Sequence, residues 1–467
     1  MVEVLDQKHS RYRDREEMWR RYWDFYVGGE QLRRNAGLYM VRRQKEPNDV
    51  YSERLGRVFY ENYLGSAIDW YAATLFRSRP GLAFDTEDAS AREFYGQFVE
   101  DCDCRQTHLL DLTRRAFIET LVFGESFVLV DFPRVEGEVA NRAEEDALGK
   151  SRAYLVPYSP LDLINWKQDR NGAYEWVVLK SRQTFQESFD KSGLVTEERW
   201  AYYDREKFKI FSRKGAAGGP SDGTPVGGGV EVVAEGRHGL AEVGRVPLIR
   251  MGVSDGLWLA NKAGSIAQEH FNKSNALSWA LHMGLFAMPV IYSEREWQQI
   301  VGEAYYIQLG PEDRFGWTEP EGKVFEIAAQ NLDRLKDEIF RVSFLMTQAG
   351  GREARNLGQS GISKQRDFAV THEVLRGYGR LVKDFLKGVL RSVADARRDE
   401  VRVEVTGLDH FDKPEFGDEI DSARGIRELG IGSERLEKEA HKRVALKYLE
   451  GMGQETKDAV LAEIDGR

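Results

Sequence analysis

The second half of the chain contains three long helical patterns separated by two segments that are not helical. Residues 256–284 and 331–348 predict the first two helices, and residues 362–398 predict the third. The first intervening segment contains three strand-like pieces, PVIYS, AYYIQLG and KVFEIA, with the turn-forming sequence GPEDRFGW between the last two. The second intervening segment, TQAGGREARNLGQSG, is rich in glycine. The order of these pieces constrains the fold more than any single motif does.

The first and third helices differ in their apolar faces. The first has only a narrow apolar stripe, made of Ile266, Phe271, Leu277 and Leu281, and its other faces are polar through Gln268, Glu269, Asn272 and Lys273. Such a helix packs on neighbours without being buried on every side. The third helix carries a fuller apolar face, formed by Leu375, Tyr378, Val382, Phe385, Val389 and Val393.

The rest of the chain predicts an α+β fold. The first third is mostly helical: one helix over 11–29 ends at a glycine pair, another lies within 48–85 and ends at RPG, and a third over 109–126 leads into a strand. In the middle, YLVPYSPLDLINWK, YEWVVLKSRQTF, ERWAYYDREKFKIFSR and GVEVVAEG predict a largely antiparallel sheet, interrupted by a solvent loop, KGAAGGPSDGTPVGGG. A strand, VRVEVTGL, and a helical tail follow, with Ser433 as a predicted N-cap.

Composition bounds the functional classes. A chain of 467 residues is long enough for two or three domains. Its two cysteines cannot form a disulfide framework, the N-terminus has no signal peptide, and the longest apolar run is too short for a membrane span. These features predict a soluble protein of a reducing compartment. The net charge of −10 argues against a dedicated DNA clamp but allows a surface past which DNA moves.

The glycine-rich segment invites a comparison with nucleotide-binding loops. A P-loop needs glycine directly before its lysine and serine or threonine directly after it, but Lys364 lies between Ser363 and Gln365. A plain connector between helices is the second interpretation, yet connections in bundles usually take about 2–8 residues. A mobile functional loop is therefore favoured over both.

The other candidate sites favour structural roles. Cys102, Cys104 and His108 lack a second ligand pair for zinc and predict two partly buried thiols in a helical turn. GESFV lacks the closing glycine of a nucleophile elbow, so Ser126 is predicted to pack in the core. The acidic stretch DKPEFGDEID predicts a solvated linker. The basic N-terminal helix is predicted to be a solvated, salt-bridged face, with Glu16, Glu17 and Asp24 among Arg11, Arg13, Arg15, Arg20 and Arg21. We expect no catalytic constellation, no cofactor and no metal site, which indicates an interaction or structural protein.

The order of these pieces resembles that of the portal (head–tail connector) proteins of tailed bacteriophages. FRSRP after the aromatic helix, PVIYS after the first long helix and GQSGISKQRD at the start of the third carry the resemblance, which covers nearly the whole chain. It implies a wing at 1–257 with a return strand at 399–415, stem helices at 258–287 and 328–348, and a clip at 288–327. It also implies a tunnel loop at 349–361, a long wing helix at 362–398 and a helical crown at 416–467. The KGAAGGPSDGTPVGGG loop departs from the family pattern and is interpreted as a variable insertion in the wing.

The resemblance also implies a function. Portal subunits form a ring, usually of twelve, at one capsid vertex, through which double-stranded DNA is packaged and ejected. Partners would be the major capsid protein, the terminase large subunit and a head–tail adaptor, with assembly in the host cytoplasm and no membrane. The residues expected near DNA are Arg352, Arg355, Asn356, Gln359 and Ser360, with hinges at Gly350, Gly351, Gly358 and Gly361. Two alternatives stay open: a monomeric head–tail adaptor or scaffold, and a nucleotide-dependent enzyme using Lys364.

Overall fold

The fold combines helices and sheets in two compact units, Met1–Asp409 and His410–Arg467. The computed structural model describes residues 2–77, 79–133, 152–190, 193–217, 225–284, 288–292, 312, 314–318, 322–345, 361–409, 416–430, 432–449 and 454–466. The mixture of helix and strand confirms the α+β class; the portal-like subdivision of the chain stays a prediction.

The first 131 residues are largely helical, as expected. The helices are α1 (Val2–Leu5), α2 (Ser10–Val27), α3 (Gly29–Tyr39), α4 (Asn48–Gly56), α5 (Tyr63–Leu75), α6 (Ala89–Glu100) and α7 (Leu109–Phe123). The glycine stop is confirmed, since α2 ends at Gly28 with φ of 63°. The expected long helix within 48–85 is instead two helices, α4 and α5, followed by strand β1 (Gly81–Asp85).

Two antiparallel sheets occupy the middle of the first unit. The three-stranded sheet has the order β10–β2–β3, with β2 (Glu125–Asp131), β3 (Tyr154–Tyr158) and β10 (Leu248–Gly252). The larger sheet contains β4 (Leu163–Gln168), β5 (Tyr174–Gln186), β6 (Leu194–Asp204), β7 (Lys207–Ala217), β8 (Pro225–Val226) and β9 (Val230–Arg237). Every pairing in both sheets is antiparallel, which confirms the sequence prediction.

The second half contains the expected long helices. They are α8 (Leu259–Gly284), α9 (Gly322–Val342) and α10 (Gly361–Arg397), and a short 3₁₀ turn (Asp255–Leu257) precedes α8. After α10, strand β13 (Arg402–Thr406) pairs antiparallel with β1, more than 300 residues earlier in the chain, with Gly81 opposite Thr406. The strand predicted from VRVEVTGL is therefore present.

The segment between α8 and α9 differs from its prediction. Strand β11 (Met288–Tyr292) confirms the expected strand PVIYS. Its partner is β12 (Arg314–Thr318), which the sequence predicted as a turn, and KVFEIA is the first part of α9 instead of a strand. The second long helix thus begins at Gly322, nine residues before its predicted start. AYYIQLG lies outside the described residues.

Two tryptophans bind the C-terminal end of α7. Trp19 Nε1 donates to Phe123 O and Trp258 Nε1 donates to Val122 O, each at 2.9 Å, so two carbonyls that α7 cannot satisfy internally are paired. Gly124 follows with φ of 88°, and a Cβ there would be 3.0 Å from the Trp258 ring. The turn from α7 into the buried strand β2 is therefore fixed from both sides, by α2 and by the residue that precedes α8.

The second unit is helical. It contains α11 (Phe416–Glu428), α12 (Glu434–Tyr448) and α13 (Gln454–Asp465). Ser433 Oγ accepts from Leu436 N at 3.3 Å, which confirms the predicted N-cap of α12.

Candidate functional site

The predicted tunnel loop lies almost wholly outside the described residues. This applies to Gly350, Gly351, Arg352, Arg355, Asn356, Gly358, Gln359 and Ser360, and to the side chain of Lys364. Gly361 is described, as the first residue of α10. The proposed roles of these residues stay predictions, and the described structure shows what holds the two helices that border the loop.

The chain leaves α9 through a fixed turn at residues 343–345. Tyr71 Oη donates to Ser343 O at 2.8 Å, and Thr371 Oγ1 donates to Phe344 O at 2.6 Å. Leu345 is 1% exposed, and Phe344 has φ of 60°. Hydrogen bonds from α5 and α10 therefore determine where the segment starts.

An aromatic cluster holds this turn against the core. The Tyr71 and Tyr378 rings meet edge to face at 5.3 Å, and Tyr378 contacts Phe117 at the same centroid distance. Tyr378 Oη donates to Leu257 O at 2.7 Å, just before α8 begins. Burial raises the pKa of both tyrosine hydroxyls, so they stay neutral donors. The cluster connects α5, α7, α10 and the start of α8.

Helices α8 and α9 run antiparallel. Lys262 Nζ lies 4.2 Å from the centre of the Phe344 ring, while further along α8 Lys273 Nζ donates to Asn331 Oδ1 at 3.0 Å. Residue numbers thus rise along α8 in the direction in which they fall along α9. Burial lowers the pKa of Lys262, which lies at the end of the pair next to the turn at residues 343–345. The hairpin β11–β12 lies at the other end of the pair, where α8 ends and α9 begins.

The buried face of α8 is not the predicted stripe. Phe271 is fully buried, but Leu281 is 41% exposed, and Ile266 and Leu277 are half-buried. The core face consists mainly of small side chains, namely Ala260, Ala263, Gly264 and Ala267. A Cβ at Gly264 would be 2.5 Å from the Tyr22 ring, so α2 and α8 approach too closely for large residues. The hydrophobic pattern alone could not show this close approach.

Two asparagines of α8 have roles that sequence reasoning missed. Asn272 accepts from Val41 N at 2.9 Å and donates to Tyr39 O at 3.1 Å. Asn275 accepts from Phe59 N at 3.2 Å and donates to Phe59 O at 3.0 Å. Both amides thus hold backbone groups where the chain leaves one N-terminal helix for the next. The low helix propensity of asparagine in mid-helix was the available signal.

Large apolar side chains are exposed at the hairpin end of the helix pair. The contact between Lys273 and Asn331 places Leu281 of α8 near Val324 of α9, because Leu281 lies eight residues after Lys273 and Val324 lies seven residues before Asn331, about 12 and 11 Å along antiparallel helices. Val324 is 63% exposed, Ile327 one turn further is 58% exposed, and Tyr292 of β11 is 63% exposed. Together Leu281, Val324 and Ile327 form what we call the apolar end, while Tyr292 lies at the end of β11 that is remote from α8. Exposed apolar surface concentrated in one place is typical of an interaction site.

The predicted salt-bridged face of the basic helix α2 is confirmed in part: two of its five arginines pair with carboxylates, whereas Arg21 binds Gln268. Arg20 pairs with Glu16 at 2.9 Å, and Arg11 pairs with the buried Glu125 at 3.1 Å. Asp24 is not on that surface, since it is only 3% exposed. Three neutral donors bind its carboxylate: Gln31 Nε2 and Asn35 Nδ2 at 2.8 Å, and Tyr39 Oη at 2.5 Å. The carboxylate therefore joins α2 to α3, a role that the interleaved charge pattern concealed.

The serine and cysteine candidates have structural surroundings. Ser126 is fully buried and donates to Ala116 O at 2.8 Å, which confirms core packing. Cys102 is buried, which raises the pKa of its thiol to about 12, whereas Cys104 is exposed. The predicted helical turn is wrong, because Cys104 has φ of 58° in an irregular segment before α7. Across the described residues, no group of three or more His, Cys, Asp or Glu side chains could hold a metal ion.

Comparisons with known proteins give little further information. No protein-family profile and no curated protein matches the chain. Among solved structures, the chain is similar to one from the neck of an empty GTA particle computed with C6 symmetry. That match has a TM-score of 0.40 and 12% identity over 79% of this chain and 87% of that chain. A similarity this low does not establish a shared fold. Within the described residues, no helix combines the length and the apolar character that a membrane span requires.

Proposed function

We propose that this chain is a portal protein, one subunit of a ring at a single capsid vertex of a tailed bacteriophage. Double-stranded DNA would enter and leave through the axial channel of the ring. The ring would contact the major capsid protein and would bind the terminase large subunit and later a head–tail adaptor. The proposal rests on the sequence resemblance and on the order of the observed elements.

One observation carries the proposal: an antiparallel pair of long helices, α8 and α9, bears a β-hairpin at one end and the predicted loop at the other. This is the arrangement that the resemblance implies for a stem with a clip beyond it. The long helix α10 and the strand β13, which returns to β1, follow in the implied order. A separate helical unit from residue 410 follows where a crown is implied.

The apolar end supports assembly of several copies. In a ring, each subunit presents one face to the next and a different face to the previous one, so the same apolar residues would be covered at every interface. Burying a large apolar side chain contributes about 1.5–3 kcal/mol. We infer that Val324 and Ile327 lie in the contact between neighbouring subunits. Twelve copies, the usual number in the family, would place twelve such contacts around the axis.

The loop residues would then face the channel. Arg352, Arg355, Asn356 and Gln359 would contact phosphates loosely, because a ring repeats every contact and each neutralised phosphate adds a salt-sensitive contribution to affinity. An acidic chain with few cations on this loop would allow DNA to slide.

Native mass and negative-stain electron microscopy test the assembly. Twelve copies of the 53.5 kDa chain would give a hollow ring of about 640 kDa. The double variant Val324→Glu, Ile327→Glu should reduce the assembly to single subunits, because each interface would bury unpaired carboxylates. The control Leu194→Glu, at a 57% exposed position of the large sheet, should still form rings.

The same measurements separate the alternatives. A monodisperse monomer under all conditions would support the adaptor or scaffold. ATP hydrolysis that is lost on Lys364→Ala would support the nucleotide-dependent enzyme.

Two deletions test the channel and the clip. Removing residues 351–359 should leave rings intact but reduce the yield of DNA-filled heads, and a normal yield would refute the loop assignment. Replacing residues 293–318 with a short linker should abolish binding of terminase or adaptor in a pull-down. Unchanged capture would refute the clip assignment.

A further inference from the structure

A cavity of about 180 Å³ lies between the α3–α4 region and the C-terminal half of α8. Its lining includes Met40, Arg54, Arg57, Ser278, Trp279 and His282. By this measure a single water needs about 10–15 Å³, so the cavity has room for a small molecule. The lining is rich in hydrogen-bond donors. Whether each donor already has an acceptor indicates what the cavity would hold.

Arg54 is the most buried of these donors. Its side chain is 5% exposed, and its Nη1 donates to both carboxylate oxygens of Glu46, at 2.7 and 2.8 Å. Its Nε is buried without a hydrogen-bond partner. Arg54 therefore holds a guanidinium at the wall of the cavity.

Arg57 lies at the same cavity and is held in place by two rings. Its Nη1 is 2.7 Å from His282 Nε2, and its guanidinium carbon is 5.9 Å from the centre of the Trp279 ring. Because a guanidinium only donates, His282 Nε2 accepts this bond. The Arg57 side chain is 48% exposed and pairs with Glu53 at 2.9 Å, which leaves other N–H groups of its fork available.

The remaining polar groups of the lining add donors. The indole N–H of Trp279 and the hydroxyl of Ser278 have no hydrogen-bond partner within the described part of the chain. Asn275 also lines the cavity, but its amide is already engaged, since it bonds Phe59 through both of its polar atoms and donates to Phe271 O. A ligand would therefore meet N–H and O–H donors but no free carboxylate or carbonyl of these side chains.

The local charge has the sign that an anion requires. Residues 42–57 carry five basic side chains, Arg42, Arg43, Lys45, Arg54 and Arg57, against three acidic ones, Glu46, Asp49 and Glu53. The segment is net positive in a chain whose net charge is −10. An anion would thus be attracted to this surface although the protein as a whole repels it.

We propose that this cavity binds a small oxyanion, a phosphate or a carboxylate, between Arg54 and Arg57. A planar or tetrahedral oxyanion offers several acceptors at once, which matches the donors of Arg57, Ser278 and Trp279. The site is independent of the portal assignment, because all of its residues belong to one chain.

Isothermal titration calorimetry of the full-length protein tests the proposal, with inorganic phosphate and succinate as probes and sodium chloride at equal ionic strength as the reference. We expect saturable binding of one ion per chain by at least one probe. Arg57→Gln should weaken it at least tenfold, since it removes a charge-assisted donor. Ser278→Tyr, at an exposed position, should abolish it by filling the cavity. The matched control Arg34→Gln removes one exposed cation on α3 outside the cavity and should leave affinity unchanged.

The two probes distinguish the ligand classes. Binding of phosphate alone assigns a phosphate site, and binding of succinate alone assigns a carboxylate site. The proposal is overturned if neither probe binds saturably, or if binding survives both Arg57→Gln and Ser278→Tyr in variants whose circular dichroism matches that of the parent.

Discussion

Gly379 of α10 lies directly against the backbone of the turn before Asp409, and a methyl group has no room there. A Cβ at residue 379 would be 2.0 Å from Leu408 O. Gly377, two residues earlier on the same helix, is a natural control, because its Cβ would meet Leu257 Cδ1 at an ordinary 3.6 Å. We predict that Gly377→Ala stabilises the protein and that Gly379→Ala destabilises it.

The magnitude follows from two opposing effects. Replacing glycine with alanine inside a helix stabilises it by about 0.8–1.0 kcal/mol. At Gly379 the backbone of Leu408 would have to move by more than ~1 Å to restore a normal contact. That movement is resisted, since Leu408 is 5% exposed with φ of 60° and directly follows β13 and Gly407. Overpacking of this kind costs about 1–3 kcal/mol, so after the gain in helix propensity the net loss at Gly379 should reach up to about 2 kcal/mol.

Urea unfolding and hydrogen exchange measure the two variants side by side. The free energies of unfolding should differ by about 1–3 kcal/mol between Gly377→Ala and Gly379→Ala, since the gain in helix propensity is common to both. Amide exchange in Arg402–Thr406 should accelerate only in Gly379→Ala, because the displaced turn loosens β13 from β1. Equal stability of the two variants, or stabilisation by Gly379→Ala, would refute the steric argument.

Three further substitutions test other contacts. Tyr71→Phe removes the hydrogen bond to Ser343 O and should cost about 1 kcal/mol, with faster amide exchange at residues 343–345. Asp399→Ala leaves Arg397 buried without its carboxylate partner, since both side chains are at most 2% exposed, and should cost about 3–5 kcal/mol in urea unfolding. Burial raises the pKa of Glu119 to about 7 from 4.5, so the stabilisation it contributes is complete below pH 4.5 and is lost as pH rises through 7. Glu119→Gln should remove that part of the pH dependence, about 1–2 kcal/mol because the side chain is partly exposed.

Each of these has an outcome that would contradict it. Unchanged exchange at residues 343–345 in Tyr71→Phe would show that the turn does not depend on that bond. A loss below ~1 kcal/mol in Asp399→Ala would mean that Arg397 finds another partner. For the pH effect, Glu206→Gln is the control at an exposed carboxylate of the large sheet, and an equal change in both variants would exclude burial as the cause.

The elements that the sequence predicted well are long and strongly periodic. The third long helix was expected at 362–398 and is observed at Gly361–Arg397, with Tyr378, Val382 and Val389 fully buried on its predicted face. The strands of the large sheet were recognisable because alternation and β-branched residues agreed over many positions. In these segments local propensity and tertiary packing favour the same structure.

The wrong predictions are short segments in which tertiary context decides. KVFEIA has residues typical of a strand, but it continues without a break into AQNLDRL, and the combined apolar spacing is helical. RFGWT contains a glycine and follows a proline, yet it forms a strand because β11 supplies its partner. A window of six residues shows neither the helical continuation of KVFEIA nor the strand that pairs with RFGWT.

Buried polar residues were equally hard to predict. Asp24 and Asn272 occupy positions that a helical pattern assigns to a polar face, yet both bind groups of neighbouring helices. Their role depends on the position of α3 in the folded protein, and the sequence of α2 or α8 alone does not reveal that position. The same applies to the anion-binding cavity, whose donors come from two segments more than 200 residues apart.

The deletion of residues 351–359 is compatible with the fold, so its effect can be attributed to the loop itself. The bond between Thr371 and Phe344 O holds the end of α9 beside the third turn of α10. Ten residues of helix separate Thr371 from Gly361, a distance of about 15 Å that the chain must cover to enter α10. After the deletion six residues remain between Leu345 and Gly361, and seven extended steps reach about 23 Å. Rings should therefore form with unchanged melting temperature while DNA packaging falls; a loss of ring assembly would show that the segment has a structural role and would contradict the channel assignment.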